Sequence, residues 1–332
     1  MLDALRQAGG RKLSGATLSD ELGVSRAQIW KDVESLRELG YEVAAAAGDG
    51  YQLVTAPDRL YPEEVQAGLS TRWLARDLRW FESIDSTNRL ALELAREGAA
   101  HGTAVIAEGQ SAGRGRLGRS FYSPPFLNLY TSVVLRPNLS TAHAPTWILA
   151  AAVAVAEAVA GSVGDDAAVE IKWPNDVLLG GLKTSGILME LGAEATRVAF
   201  LVLGIGVNLN VDRDDFPDEF RAFATSLRSH SGEPVDRIAF ARRLYTELER
   251  ALELCEQEGF EALRPAFESR FGMVGRPVRV EEIGGGESRG TALGIDASGA
   301  LRLRLDDGTE TRVVAGDVTL AKDSVANSRN AP

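Results

Sequence analysis

The sequence predicts an α+β protein of three parts: a small helical module closed by a hairpin, a large domain with a mixed sheet, and a small barrel of short strands. Three observations lead there. Up to about residue 60, three short helical patterns precede two extended runs that flank Gly48-Asp49-Gly50. From about residue 79 strands alternate with helices, and beyond Gly272 the texture changes to short strands set apart by glycines. A chain of 332 residues with 45% hydrophobic and 25% charged content has room for two or three ordinary domains with a large core.

Taken in order, Leu2 to Gln7 is the first helix, stopped by Gly9-Gly10. Thr17 is placed to cap a second helix that ends at Gly23. Ser25 starts a third, with Gln28 three residues on in a capping-box pattern and Ile29, Val33 and Leu36 on one buried face. The runs 41–45 and 51–54 then form a hairpin. Helix, turn, capped helix and wing is the layout of a winged helix-turn-helix, which sets its last helix in a DNA groove. Ser25, Arg26, Gln28 and Lys31 are the candidate DNA contacts. Charge counsels restraint: residues 1–60 hold seven Lys/Arg against nine Asp/Glu, a balance of 7 − 9 = −2, whereas phosphate contacts normally supply much of DNA affinity.

Residues 55–63, with Pro57 and Pro62, read as a linker. Strands are expected at 79–84, 103–107, 127–135, 169–173, 187–191 and 198–205, and helices at 89–97 (capped by Ser86 or Thr87), 147–160 and 244–254. The alanine-rich stretch 147–160 carries Glu157 and is shorter than the roughly 20 residues of a membrane span, so it reads as a buried helix. The small barrel spans 272–322 and a polar tail 323–332, which leaves 1–60 and 61–271 as the first two domains. The N-terminus lacks the apolar core of a secretory signal. One cysteine and three histidines exclude a disulfide and a zinc finger within the chain. These features suit a cytoplasmic protein with no membrane partner. A formal charge of −11 excludes a general polyanion binder.

The chemistry concentrates in residues 109–119, GQSAGRGRLGR, where Arg114, Arg116 and Arg119 alternate with Gly113, Gly115 and Gly118. Glycine admits close backbone approach, and arginine presents a planar fork of donors to carboxylate or phosphate. Lying between two apolar strand runs, this is a ligand loop of a folded sheet rather than a low-complexity RNA-binding tract. Known phosphate motifs are missing: Gly180 to Thr184 lacks the glycine before lysine of a P-loop, and Gly204-Ile205-Gly206 lacks the third glycine of a dinucleotide fingerprint. Three further segments carry polar chemistry. Asp85-Ser86-Thr87-Asn88 sits at a strand-to-helix corner. Lys172-Trp173-Pro174-Asn175-Asp176 ends a strand with oxygen ligands suited to magnesium. Lys183 to Glu190 begins with a lysine before a small-residue turn. Taken singly, each of these has a plain reading as a cap, a turn or a surface lysine.

Together, SIDSTN (83–88), GRGRLGR (113–119), KWPND (172–176), KTSGILME (183–190) and GIGVNLN (204–210) occur in this order and resemble the biotin–protein ligases, of the bifunctional type that is also a biotin-responsive repressor. The resemblance extends over nearly the whole chain and implies a biotin-ligase catalytic domain with an SH3-like C-terminal barrel. It implies ATP, Mg²⁺ and biotin as cofactor and substrates. The reaction would form biotinyl-5′-AMP and then biotinylate a lysine of the biotin carboxyl carrier protein, or carrier domain, of acyl-CoA carboxylase. Operator DNA and a homodimer are the other implied partners. Carried onto this sequence, Ser86, Thr87, Asn88, Gln110, Arg114, Gly115, Arg116, Lys183 and Gly186 bind biotin. Arg114, Arg116, Arg119, Phe121, Lys172, Asn175 and Asn208 bind the nucleotide. Arg116, Lys183, Asp176 and Asn175 serve catalysis, with Asp176 also the metal anchor. The family often has Trp where Phe121 stands, which gives Phe121 the adenine-stacking role by substitution. The rival readings are a lipoate–protein ligase and a non-catalytic ligand-sensing repressor.

Overall fold

The computed structural model describes residues 1–46, 50–282 and 285–320 and divides into two compact units, Met1–Arg59 and the remainder from Leu60. The turn residues Gly48 and Asp49, Gly284, and the tail 323–332 lie outside the described residues.

In the first unit, helices α1 (Leu2–Gln7), α2 (Gly15–Leu22) and α3 (Arg26–Glu38) precede the antiparallel hairpin β1 (Glu42–Ala46) and β2 (Gly50–Thr55). The cap of α2 differs from expectation. Ser14, not Thr17, is the N-cap, and its hydroxyl accepts the Thr17 N–H at 2.9 Å. Ser25 caps α3 by accepting the Gln28 N–H at 3.2 Å. The reciprocal half of the capping box is not made, because Gln28 donates instead to Asp32 at 2.7 Å. Leu18, Ile29 and Val33 are wholly buried in this unit.

The second unit contains α4 (Pro62–Gln66), β3 (Leu78–Ile84), α5 (Thr87–Arg96), β4 (Ala104–Gln110), β5 (Leu129–Leu135), α6 (Ala144–Val163), β6 (Val169–Lys172), β7 (Asp176–Leu179), β8 (Leu182–Glu194) and β9 (Arg197–Val207). Then follow α7 (Asp218–Arg221), α8 (Leu227–Ser231), α9 (Arg237–Glu258) and α10 (Arg264–Ser269). Its seven-stranded sheet runs β3-β4-β5-β9-β8-β7-β6; β3 and β4 are parallel and every other neighbouring pair is antiparallel. The expected linker, 55–63, already contains the start of this unit, since Leu60 is buried in its core and α4 begins at Pro62.

Because strand side chains alternate between faces, β4 divides its residues between two cores. Val105 meets Ala91, Leu94 and Ala95 of α5, while Ala104 and Ile106 join α6 and α9 on the other side. The alanines of α6 let it lie close between the sheet and α9. Helix α6 runs longer than the apolar stretch suggested: Thr141–Val163 is long and apolar enough to cross a membrane, and its most apolar window is 78% buried inside the fold. The reading as a buried helix therefore stands on packing, not on length. Helix α9 also starts earlier than expected, with Asp236 as N-cap accepting the Ala239 N–H at 2.9 Å.

The C-terminal strands β10 (Pro277–Glu282), β11 (Glu287–Ile295), β12 (Leu301–Leu305), β13 (Glu310–Val313) and β14 (Gly316–Leu320) form one antiparallel sheet in the order β13-β12-β11-β10-β14. Among the described residues β13 and β14 do not pair, so the sheet is open where a closed barrel was expected. It is fastened to the seven-stranded sheet where Trp173 Nε1 donates to the Gly299 carbonyl at 2.9 Å.

Candidate active site

One cavity of about 830 Å³ opens on the sheet, and all fifteen residues expected to bind biotin or nucleotide, or to serve catalysis, line it. Its floor is made by leaving out side chains. A Cβ on Gly204 would lie 2.5 Å from Asn88 Oδ1, and one on Gly206 would lie 2.6 Å from the Phe121 ring.

At one end, a polar relay stands ready for a head group with donors and acceptors. The Thr87 N–H and hydroxyl donate to Gln110 Oε1 at 2.9 and 3.1 Å, Ser132 donates to Thr87 Oγ1 at 2.9 Å, and Gln110 Nε2 reaches Ser123 at 3.0 Å. Ser86 is the N-cap of α5 but makes no side-chain capping bond, so the plain capping reading of this corner is not what the structure uses. Asn88 donates to Glu190, while its buried Oδ1 has no hydrogen-bond partner among the described residues.

The arginine loop is closed by its own backbone. The Gly115 N–H bonds the Arg119 carbonyl at 2.7 Å and the Phe121 N–H bonds the Gly113 carbonyl at 2.9 Å. Leu117, non-glycine, takes φ +54° and is exposed. Each arginine meets a different anchor: Arg114 lies 4.0 Å from Glu190, Arg116 donates to Asn175 Oδ1 at 3.1 Å, and Arg119 pairs with Asp317 at 2.6 Å. Burial lowers the Arg116 guanidinium from its ordinary value, against the fields of Asp317 and Asp176.

Asn175 is rigid because its Nδ2 donates to the Ile187 carbonyl at 2.8 Å while its own carbonyl accepts the Ile187 N–H at 2.9 Å. Beside it, Lys183 Nζ lies 2.8 Å from Asp176 Oδ1; that oxygen has no aligned hydrogen bond, so the contact is ionic. Asn208, at the end of β9, donates to the Thr225 carbonyl at 3.1 Å. Lys172 and Gly186 stand opposite Asp176 in the β6–β7 and β7–β8 registers and also line the cavity.

Phe121 stands over Gly206, with its ring 3.5 Å from where a Cβ on Gly186 would be. A second aromatic wall was not foreseen. Tyr122 stacks on Phe220 at 6.1 Å, with Phe216 and Phe223 beside them, and all four line the cavity. Tyr122 lies about ninety residues before the other three, which fall within 216–223, and only their common aromaticity signals them. Glu190 and Asp317 were also missed.

In the first unit, Ser25, Arg26, Gln28 and Lys31 are exposed on α3, with Ser25 and Gln28 occupied by bonds within the helix. Trp30, on the same helix, is 57% exposed.

Sequence comparison matches residues 80–208 to the biotin/lipoate A/B protein ligase family, residues 1–52 to an HTH domain and residues 274–320 to the biotin protein ligase C terminal domain. The chain is 37% identical to the bifunctional ligase/repressor BirA of Bacillus subtilis, over 96% of this chain and 97% of that protein. It is 36% identical to the Escherichia coli protein of the same name, over 94% of each. Among solved structures, the biotin protein ligase of Aquifex aeolicus in complex with biotin and ATP aligns with a TM-score of 0.63 and 28% identity, covering 74% of this chain and 99% of that one.

Proposed function

The chain belongs to the biotin–protein ligases of the bifunctional ligase/repressor type, and from that premise we propose that its large cavity performs both half-reactions of biotin transfer. What carries the assignment to residues is the convergence of all fifteen candidates on that cavity.

In the first step a biotin carboxylate oxygen attacks the α-phosphorus of ATP. A new P–O bond forms, the bond to pyrophosphate breaks, and biotinyl-5′-AMP remains. In the second, the ε-amine of a carrier lysine attacks the acyl carbon; a C–N bond forms, AMP leaves, and the amine loses a proton. Thr87 and Gln110, already joined, orient the ureido ring together with Ser86 and Asn88. Arg114, Arg116 and Lys183 neutralise the two anions that must meet, the strongest service a preorganised site offers such a reaction. Asn175 fixes Arg116. Gly115 and Gly186 leave room for the acyl chain, and Arg119, Lys172 and Asn208 face the nucleotide. Phe121, standing on Gly206, offers its ring to the adenine, and the Tyr122–Phe220 wall adds further aromatic surface for it.

Magnesium, when bound, would supply positive charge beside the departing phosphates, and such ions are usually held by one or two carboxylates plus phosphate oxygens. Asp176, with an oxygen free of aligned hydrogen bonds, suits that part. No group of three or more His, Cys, Asp or Glu side chains able to hold a metal occurs among the described residues, which agrees with a metal that arrives with its nucleotide.

The acceptor is the biotin carboxyl carrier protein, or the carrier domain, of an acyl-CoA carboxylase, and the setting is the cytoplasm. Operator binding falls to α3, and homodimerisation on adenylate binding couples the two activities. Biotin-dependent exchange of labelled pyrophosphate into ATP tests the chemistry. Exchange with biotin and not lipoate is expected; exchange with lipoate alone, or none from folded protein with magnesium, sinks the reading. Removal of residues 1–59 should abolish operator binding and leave exchange intact.

A further inference from the structure

The cavity is not made by the catalytic domain alone. Asp317 and Thr319, two residues apart on one face of β14, line it as well. Asp317 Oδ2 lies 2.6 Å from Arg119 Nη2, the contact that ties the arginine loop to the C-terminal sheet.

Three observations make this pair more than a surface contact. First, Asp317 stands directly opposite Glu281 in the β10–β14 register. Like charges so placed destabilise a sheet unless cations answer them: Arg279 answers Glu281 at 3.0 Å and Arg119 answers Asp317. The Asp317 hydrogen bond raises the Arg119 guanidinium above the ordinary value, with the field of Glu281 adding to that. Second, Arg116 and Arg119 repel one another, and Asp317 and Asp176 are the carboxylates whose fields reach both. Third, the sheet that carries Asp317 is anchored to the KWPND turn through Trp173 and Gly299. The carboxylate is thus fixed, while the Arg119 side chain, held by its backbone in the loop, is 61% exposed.

Resting on the ligase reading above, we propose that Asp317 is a positioning residue for Arg119 that fixes its guanidinium toward the nucleotide phosphates. A guanidinium carries five donors. Asp317 engages one edge of the fork and leaves the rest to phosphate, while removing rotamer freedom that binding would otherwise have to remove. The C-terminal sheet therefore acts on the nucleotide and not on biotin.

The test is Asp317→Asn in the full chain, read by the KM for ATP in biotin-dependent pyrophosphate exchange and by biotin affinity in direct titration. The KM for ATP should rise about tenfold, while biotin affinity and the melting temperature stay near those of the parent. Asp317→Glu should restore most of the loss. Adding Asp317→Asn to Arg119→Ala should cost nothing beyond Arg119→Ala alone. The proposal is overturned if the KM for ATP moves less than twofold, if ATP and biotin affinities fall together, or if the two substitutions multiply. Absence of exchange in the unsubstituted protein would instead refute the ligase reading, a distinguishable result.

Discussion

Two ion pairs in this molecule have the same length and opposite surroundings. Arg237 and Glu108 meet at 2.8 Å with no exposure on either side chain; Lys183 and Asp176 also meet at 2.8 Å, but on the wall of the cavity. Around Glu108 every oxygen is engaged, Oε1 by the Leu60 N–H at 2.7 Å and Trp80 Nε1 at 3.2 Å, and Oε2 by Arg237. Among the described residues, Asp176 Oδ1 has only its ionic contact with Lys183. A buried pair that is fully bonded fixes packing, because removing one partner strands the other charge. A pair left partly unsatisfied beside a cavity keeps capacity to bind.

Substitutions should separate the two. Lys183→Ala is expected to lower the rate of adenylation about 1,000-fold, near 4 kcal/mol in barrier, with thermal stability little changed. Single-turnover formation of biotinyl-5′-AMP measures it, and a loss below tenfold would remove Lys183 from the chemistry. At the sealed pair, Glu108→Ala should cost about 3–5 kcal/mol of folding stability in urea. Replacing both charges with apolar side chains, Glu108→Leu together with Arg237→Met, should recover most of it. If the single variant melts like the parent, the pair is not holding α9 to the sheet.

A third carboxylate sharpens the contrast because it is buried with backbone partners. Glu249 accepts the N–H groups of Arg72, Trp73 and Leu74 at 2.7, 2.9 and 2.9 Å. Burial pushes its carboxyl up, but these bonds outweigh burial, and it titrates below the ordinary carboxylate range. Its contribution is therefore present above about pH 4.5 and is lost as pH falls through the lower, native value. Glu249→Gln should cost about 2 kcal/mol at neutral pH and flatten the acid limb of the stability curve; an unchanged limb would contradict the assignment. The smallest effect is expected in the first unit, where Trp30→Ala should move stability by less than about 0.5 kcal/mol because the side chain is exposed. A larger loss in calorimetry would mean that Trp30 packs in the native protein.

These ion pairs also mark the limit of what the sequence discloses. The arginines of the 113–119 loop were legible as an anion loop from their alternation with glycine, whereas Lys183 and Asp176 gained their roles only through the resemblance of their segments to the family. Helices α1 and α3 and strands β3, β4 and β9 were legible because local periodicity and caps specify them. Partners set by register were not. Glu108 looks like one polar residue in an apolar strand, and nothing near it in sequence names Arg237, 129 residues later. Asp317 likewise gains its meaning only when β14 folds beside the loop. The N-cap of α2 was misread because both Ser14 and Thr17 suit the position and only the chain's entry angle decides. The barrel stayed open because closure needs β13 and β14 to pair, which short strand patterns do not reveal.

Helix α6 also constrains how the chain is made. Its apolar surface is covered by the sheet and by α9, yet α9 ends at Glu258, about a hundred residues after Val163. At a synthesis rate of roughly 5–20 residues per second, a nascent chain carries this uncovered helix for about 5–20 seconds. Ribosomes stalled before residue 237 should expose it to crosslinking by chaperones that bind apolar segments, and ribosomes stalled after α9 has emerged should not. The helix that makes the finished core tight is thus also one whose long apolar run waits for its cover during synthesis.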